Sequence, residues 1–254
     1  MPTRSAAPST APRSRRSPLW ITIDGPAGVG KSTVAKLLAR RLGLLYVDTG
    51  ATYRALAYQA LLLGADPRDE RAMARLARAL GVALRRSADD GLRVLLNRRD
   101  VTRQIRTERV TEAASAVAQH PAVRRALVRL QRRLARGRAC VVEGRDTGSV
   151  VFPKARYKFF LTADVRIRAR RRQMELRQVQ GHAPKADVLA RQLKGRDNLD
   201  RRRAIGPLIR PPHAMVLDTS RLKAEQVVQQ MLRRLPIRTV GKDSSCIWAG
   251  HPLS

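Results

Sequence analysis

The glycine-rich stretch ITIDGPAGVGKST, residues 21–33, constrains the fold of this chain more than any other feature. Residues 25–32 fit the pattern G-x-x-x-x-G-K-[ST], and they lie between a short apolar strand and a segment with helical spacing of apolar residues. In such a turn, consecutive backbone N–H groups point inward and bind phosphate oxygens, and the helix that follows adds its positive dipole end. We therefore predict a nucleoside triphosphate site on a strand–loop–helix unit.

The residues of this loop have distinct expected tasks. We expect Lys31 to reach the outer phosphates of ATP and the Ser32 hydroxyl to ligate a bridging Mg²⁺. The loop does not decide whether the nucleotide drives motion, a switch or transfer to an acceptor, and Glu143 ends an apolar strand where a motor would place its metal-binding carboxylate. The residues predicted to bind ATP are Gly25, Pro26, Ala27, Gly28, Val29, Gly30, Lys31, Ser32 and Thr33.

Apolar periodicity along the chain predicts short buried strands that alternate with helices, the pattern of a parallel sheet with helices on both faces. The predicted strands are Trp20–Asp24, Leu44–Asp48, Ala139–Gly144, Tyr157–Ala163 and His213–Ser220. The predicted helices are Lys31–Leu42, Thr52–Leu63, Asp69–Leu80, Thr107–Ala118, Ala122–Ala135, 164–177, 186–203 and Glu225–Leu235. Between residues 81 and 102 the period changes to short alternating pieces, which predicts an antiparallel meander with a turn at Asp89–Gly91.

These patterns divide the chain into a folded core, an insertion and two tails. We assign the core to residues 19–64 and 103–234, with a basic helical arm at about 164–205, and the inserted subdomain to residues 65–102. Residues 1–18 form a basic extension that lacks acidic residues and fits either a disordered bacterial extension or an organelle transit segment. Residues 235–254 show no periodicity, so we expect a disordered tail.

Composition limits the partners that this chain can have. The 52 basic and 20 acidic residues give a net charge of +32, which suits polyanions, but the arginines are spread along the chain as solvated faces would be. Aromatic residues make up 4%, so few rings are available to stack on single-stranded nucleic acid. The distant cysteines Cys140 and Cys246 predict neither a disulfide nor a zinc site. Neither a membrane span nor a secretory signal is evident, so we expect a cytoplasmic protein.

Three polar blocks suggest an acceptor site beside the loop, because ligands of open α/β sheets bind beyond the carboxyl ends of strands. They are DTGATYR (48–54), EGRDTGSVVFP (143–153) and RDNLDRRRAIGPL (196–208). Together with ITIDGPAGVGKST, IRTERVTEAASAVA and HPAVRRAL, and in this order, they resemble the bacterial cytidylate kinases, a family of nucleoside monophosphate (NMP) kinases. The resemblance covers roughly residues 19–234.

The resemblance implies a reaction and a fold. The reaction is transfer of the γ-phosphoryl group of MgATP to CMP or dCMP, which gives CDP or dCDP and ADP in pyrimidine metabolism. The fold is α/β of the P-loop NTPase type, three-layered, with a five-stranded parallel sheet, the small antiparallel insertion as an NMP-binding subdomain, and the basic arm as a helical lid. The family is usually monomeric, so a cytoplasmic monomer is expected.

The resemblance also implies roles for individual residues. Arg54 and Arg145 match positions that hold the acceptor phosphate, where guanidinium groups grip bidentately, although an ion pair of Arg145 with Asp146 is the structural alternative. The matched base-reading residues are Thr49, Arg124, Asp146 and Arg203, and those that meet the sugar are Ser115, Arg196 and Asp200. The residues expected to be catalytic are Lys31, Arg54, Arg145 and the lid residues Arg168 and Arg172.

Two positions depart from the family pattern, and two other functions stay open. Thr49 stands where the family more often has Ser, and Glu143 where Asp is frequent. The alternatives are a P-loop small-molecule kinase with another acceptor, and a basic P-loop ATPase that binds nucleic acid. We do not expect nucleic acid as a partner, because no second set of motor motifs follows the loop.

Overall fold

The computed structural model describes residues 18–86, 92–239 and 246–248. Its strands and helices agree with the predicted order, and the α/β fold class is confirmed. In chain order the elements are β1 (Trp20–Asp24), α1 (Lys31–Arg41), β2 (Leu45–Asp48), α2 (Thr49–Leu62), α3 (Glu70–Ala79), β3 (Val82–Arg86), β4 (Leu92–Leu96), β5 (Arg99–Asp100), α4 (Glu108–Val117), α5 (Pro121–Leu134), β6 (Cys140–Gly144), β7 (Tyr157–Thr162), α6 (Val165–Gln180), α7 (Ala186–Arg201), β8 (Met215–Asp218), α8 (Ala224–Leu232), β9 (Ile237–Thr239) and β10 (Cys246–Trp248).

The central sheet has five strands in the order β2-β6-β1-β7-β8, and every neighbouring pair is parallel. The register aligns Asp24 of β1 with Gly144 of β6, and Glu143 of β6 with Asp48 of β2. The carboxyl ends of these three strands therefore lie side by side. The three segments that follow them carry the phosphate loop and the first two polar blocks, so the register alone brings these motifs together.

Both faces of the sheet are covered, because successive side chains of a strand point to opposite faces. On β6, Val141 belongs to the cluster that contains Leu38 of α1 and Val228 of α8. Its neighbour Val142 belongs to a second cluster with Val128 of α5. The result is a three-layer arrangement with the sheet in the middle.

The segment between α3 and α4 forms the predicted antiparallel meander, with strand order β3-β4-β5. Asn97 and Arg98 connect β4 to β5 with φ angles of 48° and 70°, the left-handed conformation of a tight hairpin turn. The predicted turn at Asp89–Gly91 lies outside the described residues. The meander and α3 come between α2 and α4 in the chain, and α3 packs against α5 of the core.

Most helix boundaries lie within two residues of the prediction, and three differ by three residues, among them the end of α8 at Leu232 instead of Leu235. Helix α2 begins at Thr49, three residues before the predicted Thr52, because the Asp48 carboxylate caps it by accepting from the Ala51 N–H at 3.0 Å. Helix α6 runs to Gln180 and ends at Gly181, whose φ of 77° provides the left-handed cap.

Helices α6 and α7 pack against each other as the predicted basic arm, which we call the lid hairpin (residues 165–201). In the C-terminal tail, for which we predict disorder, the structure instead pairs β9 and β10 antiparallel. Residues 1–17, 240–245 and 249–254 lie outside the described residues. None of the helices in the described ranges is both long and apolar enough to cross a membrane.

Candidate active site

The loop between β1 and α1 has a backbone that its glycines make possible. Gly28 and Gly30 have φ angles of 78° and 89°. Gly25, at φ 149°, lies so close to β7 that a Cβ would stand 2.3 Å from the Leu161 carbonyl oxygen. A side chain at Gly25 would displace the loop from the sheet, so glycine is required there.

Lys31 is buried at the start of α1, and its Nζ donates to the Pro26 carbonyl at 2.6 Å. Burial, together with the nearby charge of Arg145, lowers the pKa of Lys31 to about 7, against the opposing charges of Glu143 and Asp24. A buried ammonium that donates to a neutral carbonyl and stands beside another cation is poorly compensated. An anionic phosphate in the loop would provide that compensation, so the residues fit a bound nucleotide.

Ser32, the predicted metal ligand, lies near the Glu143 side chain at the end of β6 and the Tyr46 side chain of β2. The Tyr46 hydroxyl donates to Glu143, and burial raises the pKa of the Glu143 carboxyl. A hydroxyl beside a carboxylate is an oxygen donor set that suits Mg²⁺. This pair therefore fits a hydrated Mg²⁺ next to the loop.

The predicted acceptor-phosphate arginines extend from α2 (Arg54) and from the residue that follows β6 (Arg145). Arg54 donates to Asp48 at 2.6 Å, and Arg145 Nε donates to Asp200 of α7 at 2.9 Å. The suggested ion pair between Arg145 and Asp146 is wrong, because Asp200 reaches Arg145 from the lid hairpin. Burial acts to raise the pKa of Asp200, but the surrounding guanidinium groups of Arg145, Arg203 and Arg196 hold that pKa below its usual value.

Around these pairs the structure leaves buried guanidinium donors unsatisfied. The Nε atoms of Arg54, Arg196 and Arg203 are buried and have no hydrogen-bond partner among the described residues. Burial and the charge of Arg145 lower the pKa of Arg196 to about 10. Each buried donor left unpaired costs about 1–3 kcal/mol, so several in one place suit the binding of an anionic group. We call Arg54, Arg145, Arg196 and Arg203 the arginine cluster.

Next to this cluster lies a buried ion pair between two predicted base-reading residues. Arg124 of α5 is 1% exposed and donates to Asp146 at 2.5 Å, while its guanidinium lies 5.4 Å from the centre of the Tyr53 ring. Burial raises the pKa of Asp146. Gly206 faces the pair so closely that a Cβ there would stand 2.1 Å from Asp146 Oδ2.

The remaining two predicted substrate residues differ in position. Thr49 is buried at the start of α2, where its hydroxyl donates to the Glu143 carbonyl at 2.7 Å, so it belongs to the site. The Ser115 hydroxyl donates to the Thr111 carbonyl of its own helix at 3.2 Å. In the part of the chain that the structure describes, Ser115 has no hydrogen bond to the arginine cluster, and its predicted contact with the sugar stays a prediction.

The two lid arginines have different environments. Arg168 is buried and donates to Asp197 of α7 at 2.6 Å and to the Ala27 carbonyl of the loop at 3.1 Å. Asp197 in turn accepts from the Ala27 N–H at 3.3 Å. Arg172, in contrast, pairs with the exposed Glu175 of its own helix at 2.9 Å. The lid hairpin is therefore fastened to the loop backbone through Arg168 and Asp197, and Arg172 is not part of that contact.

Sequence reasoning missed several residues that support the loop. Thr219, just after β8, donates to the Val29 carbonyl at 2.9 Å, and Arg171 donates to the Thr219 carbonyl at 2.6 Å. Asp24, the last residue of β1, binds the segment that follows Asp146. A signal existed for Asp24 and Thr219, since each is a polar residue at the carboxyl end of a core strand.

The arrangement provides two neighbouring anion sites, the loop with Lys31 and the arginine cluster, joined by the β1–β6 register. Phosphoryl transfer requires mainly that two phosphates be held in line and that their charge be neutralised. A separate cleft of about 380 Å³ opens at the amino ends of β7 and β8, the opposite edge of the sheet, and takes no part in this site.

Comparison with known proteins agrees with this geometry. The profile of the family described as Cytidylate kinase matches residues 21–236. A cytidylate kinase from Pelotomaculum thermopropionicum is 46% identical over 215 residues, which are 85% of this chain and 95% of that protein. Cytidylate kinases from Geobacillus kaustophilus (47% over 212 residues, 84% and 94%) and Symbiobacterium thermophilum (45% over 215 residues, 85% and 95%) are similarly close. With a profile match over most of its length and relatives this similar, the chain belongs to the cytidylate kinase family.

Proposed function

We propose that this chain transfers the γ-phosphoryl group of ATP to CMP or dCMP, giving CDP or dCDP and ADP, and that it does so as a cytoplasmic monomer. The observation that carries the proposal is the arginine cluster with its buried, unsatisfied Nε donors beside the phosphate loop. A motor or a switch needs one phosphate site, whereas a kinase for a phosphorylated acceptor needs a second one at this place.

The arginine cluster makes the approach of two anions possible. Arg54 and Arg145 bind the phosphate of CMP, and their carboxylate partners Asp48 and Asp200 fix their direction. Arg196 adds a charge that has no carboxylate partner at hydrogen-bond distance among the described residues. Lys31 supplies positive charge on the donor side. The negative charge of the phosphoryl group is therefore neutralised on both sides during transfer.

The donor side holds ATP by backbone and metal contacts. The backbone N–H groups of residues 28–33 surround the phosphates, and Ser32 would hold Mg²⁺ with Glu143 nearby. When bound, Mg²⁺ neutralises charge on the β- and γ-phosphate oxygens. Arg168 and Asp197 keep the lid hairpin against Ala27, which excludes water that would otherwise compete with CMP as the acceptor.

Cytosine is selected by the buried pair of Arg124 and Asp146. Asp146 accepts a hydrogen bond from the exocyclic amine of cytosine, the pairing expected of a carboxylate with this base. Uracil has a carbonyl at that position, which would face the carboxylate without a donor. Thr49 lies at the same strand end, where its hydroxyl donates to the Glu143 carbonyl.

A coupled assay of ADP release across acceptors tests the proposal. We expect turnover with CMP and dCMP, much slower turnover with UMP and AMP, and no stimulation by single-stranded DNA. ATP consumption that requires DNA and ignores CMP would reject the proposal in favour of a nucleic-acid-dependent ATPase. Preference for an acceptor that carries no cytosine would reject the assigned substrate.

A further inference from the structure

Arg145 and Asp146 occupy the two positions between the end of β6 and one five-residue helical turn, Thr147–Val151. We call residues 147–151 the acceptor turn. Neither Arg145 nor Asp146 lies in a strand or a helix, so the directions of their side chains depend on how this turn is held. Two residues with no role in the reaction described so far hold it, one at each end.

At the amino end, the holder is Asp24, the last residue of β1. One oxygen of its fully buried carboxylate accepts from the Thr147 N–H at 2.8 Å and from the Thr147 hydroxyl at 2.8 Å. The other oxygen accepts from the Gly148 N–H at 2.7 Å. Both oxygens are thus used on the turn, and Asp24 is covalently joined to Gly25, where the phosphate loop begins.

At the carboxyl end, the holder is Arg132 of α5. Its Nε donates to the Val151 carbonyl and its Nη2 to the Val150 carbonyl, both at 2.8 Å. The planar guanidinium thereby grips two successive carbonyls with fixed geometry, which an ammonium does less well. Helix α5 also carries Arg124, the partner of Asp146, so one helix positions both the turn and the base-reading pair.

The acceptor turn and the residues before it lie close to β1 and α2. A Cβ on Gly148 would stand 2.7 Å from the Thr22 hydroxyl of β1. A Cβ on Gly144 would stand 2.4 Å from the Thr49 hydroxyl and 2.6 Å from the Thr147 methyl group. The backbone on either side of Arg145 and Asp146 is therefore packed against β1 and α2, and a loss of either holder would shift it as a unit.

We propose that Asp24 and Arg132 are positioning residues for the acceptor nucleotide, a role that rests on the proposed function. They fix the acceptor turn so that Arg145 meets the CMP phosphate and Asp146 meets the cytosine amine. Because Asp24 also ends the strand that carries the phosphate loop, its carboxylate sets the distance between donor and acceptor. A shift of the turn should thus weaken CMP binding and base selection while ATP binding is retained.

The test is steady-state kinetics of Arg132→Ala with CMP, UMP and ATP varied in turn. We expect the KM for CMP to rise about tenfold, since misplacement by 1 Å costs up to about 10²-fold, while the KM for ATP stays within about twofold. The ratio of kcat/KM for CMP to that for UMP should fall, because Asp146 is misaligned. General loss of stability would lower all activities without changing this ratio, so the ratio separates positioning from a merely structural role.

Matched variants on α5 serve as controls. Arg133→Ala removes the same charge from the next, exposed position of the helix and should leave all three constants unchanged. Arg132→Lys keeps the charge but not the planar geometry and should give a KM for CMP between those of wild type and Arg132→Ala. Equal effects of Arg132→Ala and Arg133→Ala would overturn the proposal.

Asp24→Asn tests the other end of the turn, since an amide can accept from only one of the two N–H groups that the carboxylate binds. As for Arg132→Ala, we expect the KM for CMP to rise more than the KM for ATP. If this buried variant does not fold, the Arg132 series still decides. A wild-type enzyme that fails to phosphorylate CMP would reject the proposed function, whereas an active wild type with an unchanged Arg132→Ala would reject only the positioning role.

Discussion

At the scale of single residues, the site is built from charges that are buried in pairs. Arg124 with Asp146, and Arg168 with Asp197, are nearly inaccessible, so removing one member leaves its partner charged and unpaired. Breaking such a pair costs about 3–5 kcal/mol. A variant that tests substrate binding should therefore keep the size and the hydrogen bonds of the original side chain. Otherwise a loss of stability would obscure the effect on substrate binding.

Asp146→Asn tests base selection under this condition. We expect the preference for CMP over UMP to fall by about 1–3 kcal/mol, roughly tenfold to a hundredfold. The reason is that an amide has one neutral acceptor oxygen, whereas the carboxylate offers two charged ones to the cytosine amine. The measurement is kcat/KM for both acceptors, with unfolding followed in parallel. Asp146→Ala should be less stable than Asp146→Asn, since it leaves Arg124 without any partner at that position. An unchanged CMP preference in Asp146→Asn would remove Asp146 from base reading.

Arg145→Ala tests the acceptor phosphate. Asp200 keeps Arg203 as a partner when Arg145 is removed, so we expect the free energy of unfolding to fall by only about 1–3 kcal/mol. Loss of a charged donor at the transferring group should lower kcat/KM for CMP about 10²–10³-fold. Near-normal turnover in a folded Arg145→Ala would show that the acceptor phosphate is held elsewhere.

The buried carboxyl of Asp24 should make the stability of the protein depend on pH, and the sign follows from its burial. Burial raises its pKa from 3.8 to about 6, opposed by hydrogen bonds from Gly148 and Thr147 and supported by the charge of Asp146. The folded state then binds more protons than the unfolded state between these two values, so this carboxyl's contribution to stability falls as the pH rises through that window. Denaturant titrations from about pH 4 to 7 should show a steeper loss of stability in wild type than in Asp24→Asn. If the free energy of unfolding depended on pH equally in wild type and Asp24→Asn, the raised pKa of Asp24 would be contradicted.

At the scale of elements, the sequence predicted the strands well because each is a short apolar run bounded by glycine or charged residues. The start of α2 was misplaced because it depends on a side-chain cap, Asp48, that periodicity does not report. The partner of Arg145 was also missed. Asp200 lies 55 positions further along the chain, and only the packing of the lid hairpin on the sheet brings it to Arg145. Local patterns thus predict elements, whereas pairings between distant elements require the tertiary structure.

The lid hairpin offers a comparison of two arginines on one helix. Arg168→Ala breaks the buried pair with Asp197 and should lower the free energy of unfolding by about 3–5 kcal/mol. Arg172→Ala removes an exposed pair with Glu175 and should change it by less than about 1 kcal/mol. Urea titration of both variants measures this difference. Equal losses would mean that Arg168 does not fasten the lid to the loop in solution.

At the scale of the whole molecule, the fold class could be predicted from one loop and the alternation of strands and helices. The net charge of +32 is less informative, because most arginines in the described part of the chain are exposed and only a few lie in the site. The arginines that matter are recognised by burial and by unsatisfied donors, as at Arg196 and Arg203, and neither property is visible in composition. These arginines lie together beside the phosphate loop, where their charge can bind a second phosphate.

The proposed reaction moves the γ-phosphoryl group of bound ATP to bound CMP and not to water. ATP labelled in its γ-phosphate, mixed with CMP and the enzyme, tests this most directly when the products are separated. We expect the label in the β-phosphate of CDP, in an amount equal to the ADP formed. Label recovered as inorganic phosphate, with CMP unchanged, would contradict it.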